Sequence, residues 1–335
     1  MTDKAMPLGL AQASASELDR IRVWLGWPDD EIHRLRALDV DRGFARFRLP
    51  GPDEAAEILR LLDVPPPAAA EIVAAVPTPE ADPEAWWILE RCYAALIERD
   101  DARRPPWPAP WVTDEALTRY FHVYVFLGAV RDVLAMHAAR GIPAEVTWAT
   151  LGDVGLQVAH YHARHGTYGF DGAFWIFNHF RGDLFQLGRL QYELGTAPFA
   201  CNAFASGDPV LEMHIPAIGP LTPQACDESQ NRARAFFAKH FPETSYAYGI
   251  CTSWLLDEQL TDVLSESSNI VRFQRRFTHD PEWSVPGDED TIRFTFGRLP
   301  KDLGELPQNT SLERGIVRHL HEGRHWRIRR GWLKV

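Results

Sequence analysis

The chain has 335 residues, 45% of them hydrophobic, and a formal net charge of −11. That length supports a large core and predicts two domains, while the acidic balance argues against a general nucleic-acid surface. No apolar run approaches the roughly 20 residues that span a bilayer, and MTDKAMPLGLAQASASELDR is too polar to hold a signal-peptide core.

The first half is helical in pattern. Ser16 to Gly26 carries Leu18, Ile21, Val23, Trp24 and Leu25 on one stripe. Pro52 to Val64 follows, with acidic residues in its first turn. Pro83 to Glu98 predicts a helix with Trp87, Leu89, Cys92 and Leu96 as core positions. RRPPWPAPW, Arg103 to Trp111, must be extended or turning, because proline and the residue before it disfavour helix. Thr113 to Gly141 is the longest helical pattern, with Thr113 as its cap and Gly141 at its end. Another helix is expected from about Ala144 to His165.

The second half changes character. Leu184 to Leu194 reads as a strand whose apolar phase flips at Gly188-Arg189, which predicts a bulge or bend. A short strand is expected through Phe199 to Ala205, and another over Val210 to Ile215. Pro223 to Phe241 is a helix, with Thr222 as N-cap and Pro223 first. Tyr246 to Trp254 is a strand and Asp257 to Leu264 a short helix. Asn269 to Phe277 alternates Val271, Phe273 and Phe277 against Arg272, Gln274 and Arg276, and reads as a strand. Thr291 to Phe296 reads as a strand burying Ile292, Phe294 and Phe296, after a solvated acidic connector at Pro281 to Asp290. Thr310 and Glu313 form a capping box for a helix that Gly323 ends. Trp326 to Val335 is the last strand. The expected fold class is α+β: a helical N-terminal domain over 1–175, then a mixed, mostly antiparallel sheet flanked by helices over 176–335.

Four cysteines, Cys92, Cys201, Cys226 and Cys251, form no CxxC pair. Reduced thiols in a cytoplasmic protein are therefore expected, without a zinc motif or disulfide framework. His160 and His162 lie two apart on a predicted helix and face different ways, so no metal is expected there. His319, His321 and His325 offer no better ligand set. The late cluster from Arg314 to Lys334 reads as a solvated face.

On the strand Val210 to Ile215, Glu212 and His214 share a face, because strands have a side-chain period of two. The turn that follows leads to a helix N-terminus, whose N–H groups suit an anion. A carboxylate and an imidazole there suggest acid–base chemistry beside a phosphate-bearing group, or a solvated polar pair. Tyr248 and Ser253 flank Cys251 on the next strand. Each is a candidate donor to a ligand or a core or turn residue. Cys251 shows no activating partner in sequence and reads as a small buried side chain. Trp175 and Trp254 are further candidates to line an apolar pocket.

The strings LFQLGRLQYE, EMHIPAIGPLTPQACDES, CTSWLLDEQL and SSNIVRFQRRF resemble a bacterial family of acyltransferases. Its members carry a helical N-acyltransferase-type N-terminal domain before a domain like that of the GNAT acyltransferases. The resemblance covers about residues 110 to 335. It implies direct acyl transfer from a thioester, acyl-CoA or an acyl carrier protein, to an amine or hydroxyl of a small-molecule acceptor. It also implies a strand pair splayed by the thioester, with Glu212 or His214 as base and Tyr248 as acid. The implied donor contacts are Ile215, Ala217, Ile218, Gly219, Leu221, Thr222 and Ser253, with no metal, nucleic acid or membrane. The loop AIGPLT departs from the usual glycine-rich pattern, and Pro220 has no N–H to donate. A catalytically inactive GNAT-like module binding a ligand or partner is the alternative.

Overall fold

A computed structural model describes residues 13–38, 47–97 and 115–335. The Pro-rich stretch Arg103 to Trp111 and the Thr113 cap lie outside the described residues. The chain divides into two compact units between Gly182 and Asp183. No helix among the described residues is long and apolar enough to cross a membrane.

The N-terminal unit is helical: α1 (Ala15–Trp24), α2 (Ile32–Leu38), α3 (Pro52–Leu61), α4 (Pro66–Ala74), α5 (Pro83–Ile97), α6 (Ala116–Arg119), α7 (Phe121–Ala139), α8 (Ala144–Leu151), α9 (Asp153–His165) and α10 (Ala173–Arg181). α5 and α7 are apolar around most of their circumference and form its centre. The long helix expected through Gly141 breaks at Tyr120, and the one expected from Ala144 breaks at Gly152. At the second break Gly155 donates its N–H to the Leu62 carbonyl at 3.0 Å. A side chain at 155 would overlap the Asp63 backbone, so the helices approach only because a glycine stands there.

The C-terminal unit carries β1 (Leu184–Gln186), β2 (Gln191–Thr196), β3 (Pro209–His214), α11 (Pro223–His240), β4 (Tyr248–Ser253), α12 (Asn269–Gln274), β5 (Thr278–Pro286), α13 (Asp288–Phe296), α14 (Ser311–His321) and β6 (Arg327–Lys334). The sheet order is β1-β2-β3-β4-β6-β5. Only β3 and β4 run parallel. The fold is α+β, with a mixed and mostly antiparallel sheet. On the opposite side from Glu212, Ser229 of α11 accepts from the Tyr192 hydroxyl at 3.5 Å, and the Phe185 and Phe236 rings pack at a tilt with centroids 4.9 Å apart.

Five local expectations are corrected. The phase flip at Gly188 is a hairpin turn between β1 and β2, with Leu187 N–H bonded to the Leu190 carbonyl and Gly188 at φ 88°. Phe199 to Ala205 is a loop. Asn269 to Gln274 is a helix because the Ser268 hydroxyl caps it, accepting from the Val271 N–H. Gln274 is consequently buried, donating to the Leu255 and Asp257 carbonyls, and does not share a face with Arg272 and Arg276. Asp288 to Phe296 is a helix, with Asp288, Glu289 and Asp290 complementing its N-terminal dipole. Phe294 is therefore 70% exposed, not buried. The expected connector at Pro281 to Asp290 is instead mostly β5, an edge strand whose register shifts between His279 and Ser284. α2, α4 and α10 were not anticipated.

Candidate active site

Registered pairs fix which side chains share the sheet face away from α11. β2 pairs with β3 in antiparallel register, Glu193 opposite Glu212 and Gln191 opposite His214. Glu212 aligns with Ile250 on β4, and Ile250 with Trp332 on β6. Directly paired residues point the same way. The pairs give the row Glu212, Ile250, Trp332, and the strand period of two puts a row of Val210, Tyr248 and Lys334 and a row of His214, Thr252 and Arg330 on the same face, on either side of it.

Glu193, Glu212 and His214 converge. The His214 ring nitrogen Nε2 lies 2.9 Å from Glu193 Oε2. An ionised carboxylate only accepts, so Nε2 carries the proton and the lone pair of neutral His214 is on Nδ1. His214 and Glu193 are 25% and 14% exposed, which keeps the pair accessible yet weakly screened. Glu212 leans over Gly195, where an added Cβ would come within 3.0 Å of Glu212 Oε1. One ligand atom from each of Glu193, Glu212 and His214 lies within 4.8 Å of the others, the one such group with metal-ligand spacing among the described residues. Two facing carboxylates favour any cation brought beside them.

The seam beside this cluster is open. β3 and β4 share two registered pairs, Leu211 with Gly249 and Glu212 with Ile250. β3 continues to His214 and β4 to Ser253. The flanking ladders stay closed over the same stretch, Gln191 with His214 and Ser253 with Arg329. The opening is thus local to the parallel seam and lies toward the strands' C-terminal ends. Such a gap lets an extended ligand take backbone hydrogen bonds as an added strand would.

Past the opening lies the loop that leads into α11. Ile215 is half-buried, Ala217, Ile218 and Gly219 are exposed, and Leu221 is buried. Gly219 adopts φ +73° with open space around it. Thr222 is the N-cap of α11, its hydroxyl accepting from the Ala225 N–H at 3.2 Å. Arg189, on the hairpin turn, donates to the Pro216 and Pro220 carbonyls at 2.9 and 3.2 Å and ties the loop to β1–β2. Burial lowers the Arg189 pKa from its ordinary value.

The remaining sequence candidates lie elsewhere. Tyr248 shares the face of Glu212 but sits one row back from the opening, its ring 5.6 Å from Phe204. The Ser253 side chain caps the following turn, accepting from the Leu255 N–H, and alternates away from the face of His214. Cys251 is buried, and burial raises its thiol to about 12, which keeps it protonated. Trp254 is buried in the turn after β4, and Trp175 donates to Asp153 in the helical unit. Glu193 was missed, because only the register shows that it faces His214. Its sequence signal was the alternation of Gln191 and Glu193 around buried Tyr192.

Residues 53–182 match the N-acyltransferase N-terminal domain and residues 184–333 the GNAT-like C-terminal domain. Among solved structures, an acyltransferase in complex with decanoyl-CoA and teicoplanin is 41% identical, with 95% of this chain and 99% of that chain covered at a TM-score of 0.87. A tryptophan-to-alanine acyltransferase mutant in complex with octanoyl-CoA is also 41% identical, with the same coverage and TM-score. An acyltransferase in complex with CoA and 10C-teicoplanin is 40% identical, again covering 95% and 99% at a TM-score of 0.87. No curated protein matches the sequence. With that identity over nearly the whole of both chains, and both domains in order, the chain belongs to the family of acyltransferases that join an N-acyltransferase N-terminal domain to a GNAT-like C-terminal domain.

Proposed function

We propose that the chain transfers a medium or long acyl group from acyl-CoA to an amine of a small-molecule acceptor, with His214 as the general base. The observation that carries this reading is the 2.9 Å contact of His214 Nε2 with Glu193, beside the open β3–β4 seam. The thioester lies along the seam, and the pantetheine bonds the backbone of β3 beyond Glu212. The pyrophosphate rests at the loop from Ile215 to Thr222, on the amides of Ala217, Gly219 and Leu221 just before α11, while the Ile218 N–H is already given to the Pro216 carbonyl at 2.8 Å. Pro220 supplies no donor, so these amides and the α11 dipole carry that contact.

Chemistry at the acceptor follows from the cluster. Glu193 and Glu212 attract a protonated amine, which favours amines over hydroxyls. Glu193 holds the ring through Nε2–H, so Nδ1 takes the proton. His214 first takes one proton from the ammonium and releases it to solvent; the neutral amine nitrogen then attacks the thioester carbon, and the C–N bond forms as the C–S bond breaks. The proton lost by nitrogen passes to His214, and the CoA thiolate takes it up on leaving. No covalent enzyme intermediate is needed, and the protonated Cys251 thiol is not used. Tyr248, a row back, is assigned to packing.

Acyl-CoA is proposed over an acyl carrier protein because the structural relatives hold decanoyl-CoA and octanoyl-CoA. A glycopeptide amine is the first acceptor class to try, because relatives hold teicoplanin. A cytoplasmic setting fits four cysteines without a disulfide among the described residues.

The test is release of CoA thiol and formation of an amide from decanoyl-CoA and teicoplanin. Expected is turnover that falls about 10²- to 10⁴-fold in His214→Ala, with unchanged acyl-CoA binding. Acyl-CoA binding without turnover on any amine or hydroxyl acceptor would establish the inactive module instead.

A further inference from the structure

The row through His214 and Thr252 ends at Arg330. Its guanidinium carbon lies 3.8 Å from the Phe199 ring centroid and 4.6 Å from that of Trp283. Nη2 donates to Asp280 at 2.9 Å. Nε is buried without a hydrogen-bond partner among the described residues. The side chain is only 11% exposed, while Phe199 and Trp283 are half-buried.

A purely structural cation–π contact would explain the stacking but not the unmet donor. A buried donor left without an acceptor costs stability, and such a group asks for an acceptor that arrives later. The two rings and Asp280 fix the plane of the guanidinium and so pre-order a fork of N–H donors. A planar fork of this kind matches a carboxylate better than a point charge does.

Position gives the scale. Strands are spaced about 4.8 Å apart, and β3 to β6 is two intervals. Arg330 therefore stands about 10 Å or more from His214, on the acceptor's face of the sheet. We infer that Arg330 anchors a carboxylate of the acceptor, holding it about 10 Å from the amine that His214 deprotonates. The inference rests on the acyl-transfer reading and adds the acceptor's second contact. The CoA phosphates are a poor match for Arg330, because their loop continues from β3, two strands away from β6 in the sheet.

The probes are teicoplanin and the same molecule with its carboxyl group converted to a neutral amide. In the unaltered protein the amide should show a KM about ten- to a hundred-fold higher, with kcat little changed. Arg330→Gln should raise the KM of the acid by a similar factor, leave that of the amide alone, and leave the acyl-CoA KM unchanged. Arg330→Lys should recover only part of the loss. Equal affinity for acid and amide in the unaltered protein overturns the proposal without any variant. A rise in acyl-CoA KM in Arg330→Gln, in protein that melts normally, overturns it as well. Should turnover be absent, equilibrium binding of the two probes still decides on Arg330, so its failure is distinct from that of the base assignment.

Discussion

Glu193→Gln isolates the charge on the carboxylate behind His214. The amide oxygen still accepts from Nε2–H, so ring orientation and tautomer persist while the negative charge is lost. The imidazolium formed in the transition state is what the charge stabilises. Two unit charges about 4 Å apart at an effective dielectric of about 20 interact by about 4 kcal/mol. The pair is 25% and 14% exposed, so solvent screening removes about half of that. About 2 kcal/mol corresponds to roughly a 30-fold fall in kcat/KM. Glu193→Ala should fall further, because the ring also loses its tether. The assay is release of CoA thiol at saturating decanoyl-CoA with the amine varied. If Glu193→Gln stays within threefold of the parent while His214→Ala is inactive, the carboxylate does not stabilise the imidazolium.

Other outcomes follow from the same geometry. Gly155→Ala places a Cβ 2.1 Å from the Asp63 carbonyl oxygen, where only backbone can yield. Urea unfolding should show a loss of roughly 3 kcal/mol, from overpacking and a strained Gly155–Leu62 hydrogen bond, and a loss below about 0.5 kcal/mol would contradict the packing described. Thr222→Ala removes the cap of α11 and should cost about 1 kcal/mol while raising the acyl-CoA KM, with Thr222→Ser recovering both. Under native conditions iodoacetamide should label half-buried Cys201 before Cys92 and Cys251, whose thiols burial raises, that of Cys251 to about 12. Mass spectrometry of the alkylated protein reads this directly, and inactivation that tracks Cys251 labelling would reverse the assignment of that thiol.

Features that depend on neighbours in sequence were legible. Thr222 and Pro223 begin α11, and Thr310 with Glu313 closes the capping box of α14. The alternation in Val210 to Ile215 correctly put Glu212 and His214 on one face. Short apolar alternations were not decisive. Asn269 to Phe277 and Thr291 to Phe296 both read as strands, yet a Ser268 cap and three acids in a first turn make Asn269–Gln274 and Asp288–Phe296 helices. Edge strand β5 was hidden by its prolines and its register shift.

The sequence by itself determined the strand that carries His214 and the helix start beyond it, because propensity, capping and side-chain period act within a few residues. Tertiary structure alone decided the rest. Glu193 is 21 residues from His214, and their contact exists through the β2–β3 register. The seam beside them exists because β3 and β4, joined across α11, diverge after two pairs. Arg330 reaches the same face only through β6, more than a hundred residues on. A one-residue slip in any of these ladders would turn the side chains of that strand to the opposite face, so the site is a property of register and not of motif.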